Sequence, residues 1–528
     1  MTRTRTRSAV AWWPMALILP LAGVLYFWRI SNAPIYLGGD EARFGVHAYS
    51  IASSGRDLDG RFMPLFIRLD ELDWWYQPTL FYLIAGALKF LPLTEGAIRI
   101  PTVVVGLLDI LLIYAVLNKL LPGRRYATLG AVMLALTPAH FIFAREARDF
   151  ICVLPFVLGW LWCYLTFMEA DRIGVAALAG AVLGVGIYSH IAAWIFLPLY
   201  VLLTWIAIVL ERKKRQLALA VGVGFLLPLL PLFVWLRSHP GMVGSILGGY
   251  HVYDARHLSP LQGAREFLNY NNIQERISVY WDYFNPAYLF FAGGSNLAVA
   301  TRRAGVFPIA LAVFMTFGIY DLWAKRRSQV ALVLLAGLAA APLGATLVDD
   351  RYAIQRELVV VPFGVLVGTF GVAFLLRHRA PSVRAASVAL LLSVPVQFAY
   401  FYRDYLTDYQ LRSASWFDPA DFRDVAEYLI AEASARDVPA VYISNAVDDA
   451  IPRWRFYLAK HRQGDLWPRT HFFSRENLDV GGIPAGSLAV LYPNDPQLAD
   501  LVGPGKCCSI THRVKDVAGS ESVVILVK

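Results

Sequence analysis

Long apolar stretches, separated by short polar connections, run through the first three quarters of the chain. A helix that crosses a bilayer needs about 20 mostly apolar residues, because each residue adds only about 1.5 Å along the helix axis. Eleven segments fit this pattern. They lie near residues 9–29, 98–120, 127–144, 150–168, 174–189, 192–210, 217–236, 304–323, 330–347, 357–376 and 385–402. The pattern predicts a polytopic α-helical membrane region of about eleven transmembrane helices over residues 1–402.

The apolar run from Gly174 to Leu210 is too long for one helix, and Ser189 and His190 interrupt it near its middle. Two helices would leave every basic connection on the same side of the membrane. One tilted helix would instead move the later basic runs, ERKKR and KRR, to the opposite side. Basic connections favour the cytoplasmic side, so we interpret the run as two spans.

The polar connections carry a strong charge asymmetry. The N-terminal arm and the connections PGRRY, EADRI, ERKKRQ, AKRRSQ and RHRAPSVR together hold sixteen basic and three acidic residues. This excess predicts a cytoplasmic N-terminus. We expect the membrane to be the inner (plasma) membrane of a bacterial-type cell. An odd number of spans then places the C-terminus outside, together with a first long loop at residues 30–97 and a second at 237–303.

The composition changes after the last span. In the stretch DPADFRDVAEYLIAEA, Asp418 is suited to cap a helix and Pro419 to begin it. Short apolar runs typical of strands follow at Ala440–Ile443, Leu488–Tyr492 and Val523–Val527. Strands that alternate with helical patterns predict a small extracytoplasmic α/β domain at residues 403–528. It contains no catalytic motif, and we expect it to stabilise the protein or to shape a substrate site as a lid.

Composition agrees with a membrane protein. Charged residues make up 16% of the chain, against about a quarter in soluble domains. The net charge of +9 does not indicate a nucleic-acid partner, because the basic residues lie in short runs between apolar segments. Cys507 and Cys508 are adjacent, a poor geometry for an ordinary disulfide. No disulfide framework is predicted.

Acidic residues crowd the first long loop. They are Asp40, Glu41, Asp57, Asp59, Asp70, Glu71 and Asp73. The simplest interpretation is a solvated loop whose acids keep it out of the membrane. Asp40 and Glu41 differ from the others because they follow directly after the first span, where a group could meet a lipid-borne substrate at the bilayer surface.

Other ionisable residues fall at three turns on the same predicted side. They are Arg145, Glu146, Arg148 and Asp149 in FAREARDF, then His190, then Asp349, Asp350, Arg351, Tyr352 and Arg356 in DDRYAIQRE. Such groups are costly at membrane depth unless they are paired or functional. Together with Asp40 and Glu41 they predict a charged cavity that opens to the outside.

A carboxylate beside arginines suits one kind of chemistry. The carboxylate can take a proton from an attacking hydroxyl, and guanidinium groups bind phosphate through paired hydrogen bonds. This is what displacement of a lipid phosphate from a sugar requires. Because external compartments hold no nucleotide sugars, an externally facing sugar transferase would use a polyprenyl-phosphate donor.

Three motifs resemble the GT-C superfamily of membrane glycosyltransferases, and within it the group of the protein O-mannosyltransferases and the lipid A aminoarabinose transferase. Gly39-Asp40-Glu41-Ala42-Arg43 is similar to the acidic motif that follows the first span in that group. Arg145-Glu146-Ala147-Arg148-Asp149 is similar to its turn between the third and fourth spans. Arg356, six residues before Pro362, is similar to its later arginine.

The resemblance implies an inverting glycosyltransferase in which Asp40 is the catalytic base of a single displacement. It implies that Glu41 and Asp149 position a substrate or hold a metal ion. A divalent metal is the one candidate cofactor, and none is certain. The alternatives are a helix-capping role for Asp40 and a salt bridge from Asp149 to Arg145 or Arg148.

The resemblance further implies that Arg356, with Arg148 or Arg145, binds the departing phosphate. Arg351 shares a turn with Arg356, so the choice between the two stays open. Further candidate substrate-binding residues are Arg43, His190 and Tyr352, with a helix cap as the alternative for His190. The expected partners are the lipid bilayer, a polyprenyl-phosphate sugar and a glycan, lipid or protein acceptor.

One departure from the family pattern concerns the second surface segment. The aminoarabinose branch has an acidic residue followed by Lys-Pro-Pro there, whereas this chain has Tyr76-Gln77-Pro78-Thr79. The missing acid and lysine argue against that substrate and against a metal site. Gln77 remains a candidate sugar contact.

Two other classes of function compete with this interpretation. A lipid-linked sugar flippase would favour inverted repeats with matching broken helices, and no such symmetry is evident in the sequence. A non-catalytic membrane scaffold with an external binding domain would tolerate substitution of the charged turns. A metal-dependent hydrolase is disfavoured, because no cluster of metal-ligating residues has the required spacing.

Overall fold

The computed structural model describes residues 12–69, 74–250, 252, 257–326, 328–474 and 481–528. The basic N-terminal arm and the loop acids Asp70, Glu71 and Asp73 lie outside the described residues.

Each of the eleven predicted spans contains a helix among the described residues. The helices are Trp13–Phe27, Glu95–Leu120, Arg124–Ala135 with Pro138–Ala144, Asp149–Ala170, Ile173–Gly186, Ala193–Leu210, Arg215–Ser238, Ala310–Ala324, Gln329–Leu347, Val360–Leu376 and Pro381–Leu406. Within the described ranges, six are long and apolar enough to cross a membrane alone, and the pair bent by 61° makes a seventh. The other four are shorter apolar helices packed among them. The predicted multi-pass helical fold is confirmed.

The division of the run at Gly174–Leu210 is also confirmed. One helix ends at Gly186 and the next begins at Ala193. The Ser189 hydroxyl donates a hydrogen bond to the Gly186 carbonyl at 2.5 Å, which closes the turn between them. His190 therefore lies in a short connection rather than inside a span.

The two long loops contain secondary structure. The first holds the helix Gly39–Ser54, named here the motif helix, the hairpin of β1 (Ile67–Leu69) and β2 (Trp74–Tyr76), and the helix Thr79–Leu88. The second holds the helices Met242–Gly249, Pro260–Phe267 and Tyr270–Asp282. Both loops therefore fold onto the membrane helices as surface helices.

The C-terminal region forms the predicted α/β domain. Its strands are β3 (Val441–Ser444), β4 (Thr470–Phe473), β5 (Leu488–Leu491), β6 (Ser509–Lys515) and β7 (Glu521–Val527), in the spatial order β4-β3-β5-β7-β6. Its helices are Asp408–Phe417, Phe422–Ala435, Ala450–His461 and Pro496–Leu501. The three strands predicted from apolar runs are β3, β5 and β7. No apolar run marks β6 in the sequence, because it is an edge strand whose residues are mostly exposed.

Two local predictions for this domain were wrong. Asp418 and Pro419 do not start the helix, which begins at Phe422 instead. The buried Asp418 carboxylate accepts the Phe422 N–H at 2.7 Å from outside the helix. A disulfide also joins the neighbours Cys507 and Cys508.

Candidate active site

A polar cavity of about 260 Å³ lies between the motif helix, the turn at residues 145–149 and the second long loop. Six of the residues singled out in the sequence line it. They are Asp40, Gln77, Arg148, Asp149, His190 and Arg356. These residues come from five separate segments of the chain, so the fold brings together what the sequence keeps up to 316 positions apart.

The start of the motif helix places Asp40 at this cavity. Gly38 precedes the helix in an extended conformation, and Glu41 reaches back to accept its N–H at 3.2 Å. A Cβ at Gly38 would lie 2.7 Å from the Arg148 guanidinium. The glycine thus allows Arg148 to approach the helix N-terminus beside Asp40. A carboxylate in the first turn of a helix is also favoured by the helix dipole.

The Asp40 carboxylate is accessible to a substrate. Its side chain is 34% exposed, and one of its oxygens lies 3.6 Å from the Arg43 guanidinium. Arg43 therefore lies close enough to attract the Asp40 carboxylate but leaves it open to the cavity.

Arg148 approaches the cavity from the turn between two membrane helices. Its guanidinium lies 3.6 Å from the carboxylate of Glu146 and above the ring of Phe417, at 5.7 Å from the ring centroid. Burial raises the pKa of Glu146 to about 8, against the opposing effect of Arg148. Glu146 is thus a buried acid whose closest charged partner is a cavity arginine.

His190 is a neutral hydrogen-bonding group. Burial, followed by the charge of Arg356, lowers its pKa to about 3. Its Nδ1 accepts the Ala192 N–H at 3.3 Å, so the neutral ring carries its proton on Nε2. His190 can therefore donate from Nε2 to a phosphate or a sugar oxygen, while its Nδ1 is already occupied by the Ala192 N–H.

Gln77 has an unused donor. The residue is 2% exposed and lines the cavity, yet its side-chain Nε2 has no hydrogen-bond partner among the described residues. An unsatisfied buried amide is costly in a folded protein. Such a group is ready to bond a ligand that enters the cavity.

Arg356 lies at the boundary between this polar cavity and a second one. It donates to the Asp350 carboxylate at 2.6 Å and lies above the ring of Tyr250, at 5.0 Å. Because a guanidinium has five N–H donors, these contacts leave others for a ligand. Burial raises the pKa of Tyr250 to about 12, so its hydroxyl stays protonated.

The second cavity has a volume of about 180 Å³ and an almost wholly apolar lining. It is formed by the helices Ala193–Leu210, Met242–Gly249 and Leu343–Leu347 with their flanking turns. His190, Tyr250 and Arg356 line both cavities. The two cavities therefore share a wall that contains a cation, a neutral imidazole and a phenol.

The structure does not bring every candidate to the cavity. Glu41 is fully buried against Arg99, and its carboxylate oxygens accept hydrogen bonds at 2.7 and 2.8 Å. Arg145 is fully buried and donates to backbone carbonyls, including that of Ala33 at 3.1 Å. These placements favour structural roles for both residues.

Arg351, Tyr352 and Arg43 also lie outside the cavity lining. Arg351 is half exposed and forms a salt bridge to Asp282 at 2.7 Å. Tyr352 packs its ring against Tyr288 at 5.3 Å. Of the two arginines that share this turn, Arg356 is the one that lines the cavity.

Sequence reasoning missed several cavity residues. Tyr76, Tyr250 and Asn296 line the site from the long loops. Their only signal was the aromatic richness of those loops. Glu146, which belongs to the predicted charged turn, is buried beside Arg148 but does not line the cavity.

The carboxylates do not form an evident metal cage. Asp40 and Asp149 both line the cavity, but within the described ranges no group of three or more His, Cys, Asp or Glu residues could hold a metal ion. Oxygen-ligated cations such as Mg²⁺ take about six ligands. The two carboxylates would supply only a minority of them, so we assign no step to a metal.

Residues 77–235 match the family model described as dolichyl-phosphate-mannose-protein mannosyltransferase. This segment starts at Gln77 and includes the turn with Arg148 and Asp149, as well as His190. Asp40 and Arg356 lie outside it. No curated protein sequence matches the chain significantly.

The whole fold is similar to that of ArnT from Cupriavidus metallidurans. The apo structure has a TM-score of 0.59 at 17% identity, and the structure bound to undecaprenyl phosphate has a TM-score of 0.57 at 18% identity. Both matches cover 98% of this chain and 98% of the other. The comparisons thus show a segment, residues 77–235, that resembles a family of membrane mannosyltransferases, within a chain that shares the overall fold of ArnT.

Proposed function

We propose that the protein transfers a sugar from a polyprenyl phosphate to an acceptor hydroxyl, with inversion at the anomeric carbon. The observation that carries this proposal is that a polar and an apolar cavity lie side by side and share the lining residues His190, Tyr250 and Arg356. A lipid-linked sugar needs an apolar space for its chain, cations for its phosphate and a polar space for its sugar, in that order. The similar fold of an ArnT structure that contains undecaprenyl phosphate supports the same class of donor.

In this proposal the first isoprene units of the donor occupy the apolar cavity. The phosphate lies at Arg356, whose guanidinium matches phosphate oxygens in geometry and charge. The Nε2–H of His190 and the Tyr250 hydroxyl add neutral donors beside it. The sugar then extends into the polar cavity, where the unpartnered Nε2 of Gln77 can bond a hydroxyl.

The chemical step uses Asp40 as a general base. Asp40 accepts the proton of the acceptor hydroxyl while the hydroxyl oxygen attacks the anomeric carbon from the face opposite the phosphate. The bond between that carbon and the phosphate oxygen breaks, and its electron pair leaves with the polyprenyl phosphate, which Arg356 stabilises. A positioned base contributes about 10²–10⁴-fold to such a reaction. Arg148 and Asp149 bind polar groups of the two substrates.

The proposed topology follows from the charged connections. The N-terminus is cytoplasmic in the inner membrane, and the cavity and the C-terminal domain, residues 403–528, face outward. The acceptor is a hydroxyl of a glycan, lipid or protein of the cell envelope, because those molecules share that compartment with the cavity.

The test is transfer by the purified protein from a panel of polyprenyl-phosphate sugars to extracted envelope glycans, lipids and proteins. We expect one donor to release free polyprenyl phosphate and to label an acceptor. Asp40→Asn abolishes transfer while the variant still inserts and folds, and Asp59→Asn, which changes a loop acid paired with Arg61, retains it. Near-normal transfer by Asp40→Asn would overturn the assignment of the base. Failure of every donor to release polyprenyl phosphate would favour a flippase.

A further inference from the structure

The C-terminal domain reaches the candidate active site through one aspartate. Asp449 lies in the turn after β3 and directly precedes the helix Ala450–His461. That helix packs against the motif helix, and a Cβ at Gly45 would lie 2.9 Å from the ring of Phe456. In α/β domains the turns after parallel strands commonly carry functional groups. Here the turn after β3 faces the helix that bears Asp40.

Arg43 connects this aspartate to the proposed base. Its Nη2 donates a hydrogen bond to Asp449 Oδ1, while its Nη1 lies 3.6 Å from Asp40 Oδ1. The Arg43 side chain is only 8% exposed, so it is confined between the two carboxylates. A Cβ at Gly39 would lie 1.7 Å from Asp449 Oδ2. The Asp449 carboxylate therefore rests against the backbone one residue before Asp40.

Asp449 does not use its carboxylate in the way that its position suggests. It is the N-cap residue of its helix, where an aspartate ordinarily accepts a backbone N–H of the first turn. Its side chain makes no such bond, and its backbone is left-handed with φ of 49°. Both features leave the carboxylate directed to Arg43.

We propose that Asp449 is a positioning residue that holds Arg43 back from Asp40 and so keeps the Asp40 carboxylate free to accept a proton from the acceptor. The C-terminal domain thereby completes the active site rather than only covering it. This inference rests on the proposed function of Asp40 as the base. A guanidinium drawn fully onto a carboxylate occupies its lone pairs and favours its charged form. Without Asp449, Arg43 would move onto Asp40 and weaken it as a base.

The other groups around Asp40 do not depend on Asp449. Arg148 and Asp149 face it from the turn between membrane helices, and Tyr76 and Tyr250 face it from the long loops. None of them makes a hydrogen bond or an ion pair with Asp449 among the described contacts. Substitution of Asp449 therefore changes the Arg43 contact selectively.

The test compares Asp449→Asn with Asp448→Asn in full-length protein, using the donor identified above. Asp448 is the exposed neighbour, and it uses its backbone carbonyl rather than its carboxylate to bind Arg453. For Asp449→Asn we expect kcat to fall about tenfold, a part of what a general base contributes, with the donor KM nearly unchanged. We also expect the acid limb of the pH–rate profile to move about one unit lower. Asp448→Asn should match the unchanged protein in both respects.

A double-mutant cycle separates positioning from mere stability. If Asp449 acts through Arg43, Asp449→Asn causes no further loss when it is added to Arg43→Gln. Additive losses with an unmoved pH profile, or wild-type kinetics of Asp449→Asn, would overturn the inference. If Asp449→Asn does not fold, Asp449→Glu replaces it. We then expect the acid limb of the pH–rate profile to move in the same direction by a smaller amount. An unmoved acid limb would overturn the inference. Activity of Asp40→Asn would instead overturn the proposed function itself.

Discussion

Glu41 and Arg99 form a fully buried ion pair in which the guanidinium holds both carboxylate oxygens. Arg99 Nε donates to Glu41 Oε1 at 2.8 Å, and its Nη2 donates to Oε2 at 2.7 Å. The same carboxylate accepts the Ala147 N–H at 2.8 Å. The pair thus joins the motif helix, the membrane helix Glu95–Leu120 and the turn that carries Arg148. The residue next to the proposed base is a structural link that fixes the walls of the cavity.

We predict that Glu41→Gln destabilises the protein strongly. Removal of one partner of a buried ion pair leaves the other charge uncompensated and costs about 3–5 kcal/mol. The measurement is thermal unfolding of the purified protein in detergent. Glu432→Gln is the control, because it breaks a partly exposed pair with Arg436 and should cost at most about 1 kcal/mol. Equal unfolding temperatures for the two variants would contradict the structural role.

The same pair predicts a pH dependence of stability. Burial alone would raise the pKa of Glu41, but Arg99, Arg148 and the Ala147 N–H outweigh it, so the folded-state pKa lies below the ordinary value of 4.5. The stabilisation is therefore fully present above about pH 4.5 and is lost as the pH falls through the lower folded-state value. The unfolding free energy of the unchanged protein should fall in that acid range. The part of this fall that is due to the Glu41 carboxylate should be absent in Glu41→Gln. An identical dependence of the unfolding free energy on acid pH in both proteins would contradict the prediction.

The sequence could predict the membrane helices because each is strongly apolar and is bounded by polar connections. It could not decide between Asp40 and Glu41. Neighbouring residues on a helix point about 100° apart, so only one of them can face a given cavity, but periodicity alone does not tell which. Arg145 and Arg148 raise the same difficulty, since one is enclosed by backbone carbonyls and the other lines the cavity. Asp449 could not be predicted, because its role depends on the packing of a domain more than 400 residues away in sequence.

We predict that Arg356→Gln weakens donor binding. A hydrogen bond to a charged group contributes about 1.5–3 kcal/mol, so the donor KM should rise by roughly 10- to 100-fold. Arg356→Lys should recover part of the loss, because it restores the charge without the paired donors. Arg351→Gln is the matched control, since Arg351 lies in the same turn but pairs with Asp282 outside the cavity. A larger rise in KM for Arg351→Gln would reverse the assignment of the phosphate site.

We predict that Gln77→Met lowers activity without lowering stability. Its Nε2 lacks a partner within the described part of the chain, so an apolar side chain of similar size removes an unsatisfied group. The unfolding temperature should stay the same or rise, while transfer falls about tenfold through the lost sugar contact. Thr79→Val provides the opposite control, because the Thr79 hydroxyl donates to the Tyr188 carbonyl at 2.7 Å. That variant should lose about 1 kcal/mol of stability, and a stability loss confined to Gln77→Met would contradict the interpretation.

We predict that Gly39→Ala impairs transfer as much as Asp449→Asn does. The added Cβ would lie 1.7 Å from Asp449 Oδ2 and 2.9 Å from Arg43 Nη1, so the Asp449 carboxylate must move. Gly86→Ala is the control, because a Cβ at that exposed helical glycine meets nothing within 4 Å. It should be neutral or stabilising by about 0.5–1 kcal/mol.

Combining Gly39→Ala with Asp449→Gly separates the steric clash from the lost charge. Glycine adopts the left-handed backbone of residue 449 without strain, and it removes the carboxylate that the new Cβ would meet. The double variant should therefore regain the unfolding temperature while its rate of transfer stays low. In the double variant the steric clash is relieved and only the carboxylate partner of Arg43 is missing. Recovery of transfer together with stability would therefore show that the Asp449 charge does not position Arg43.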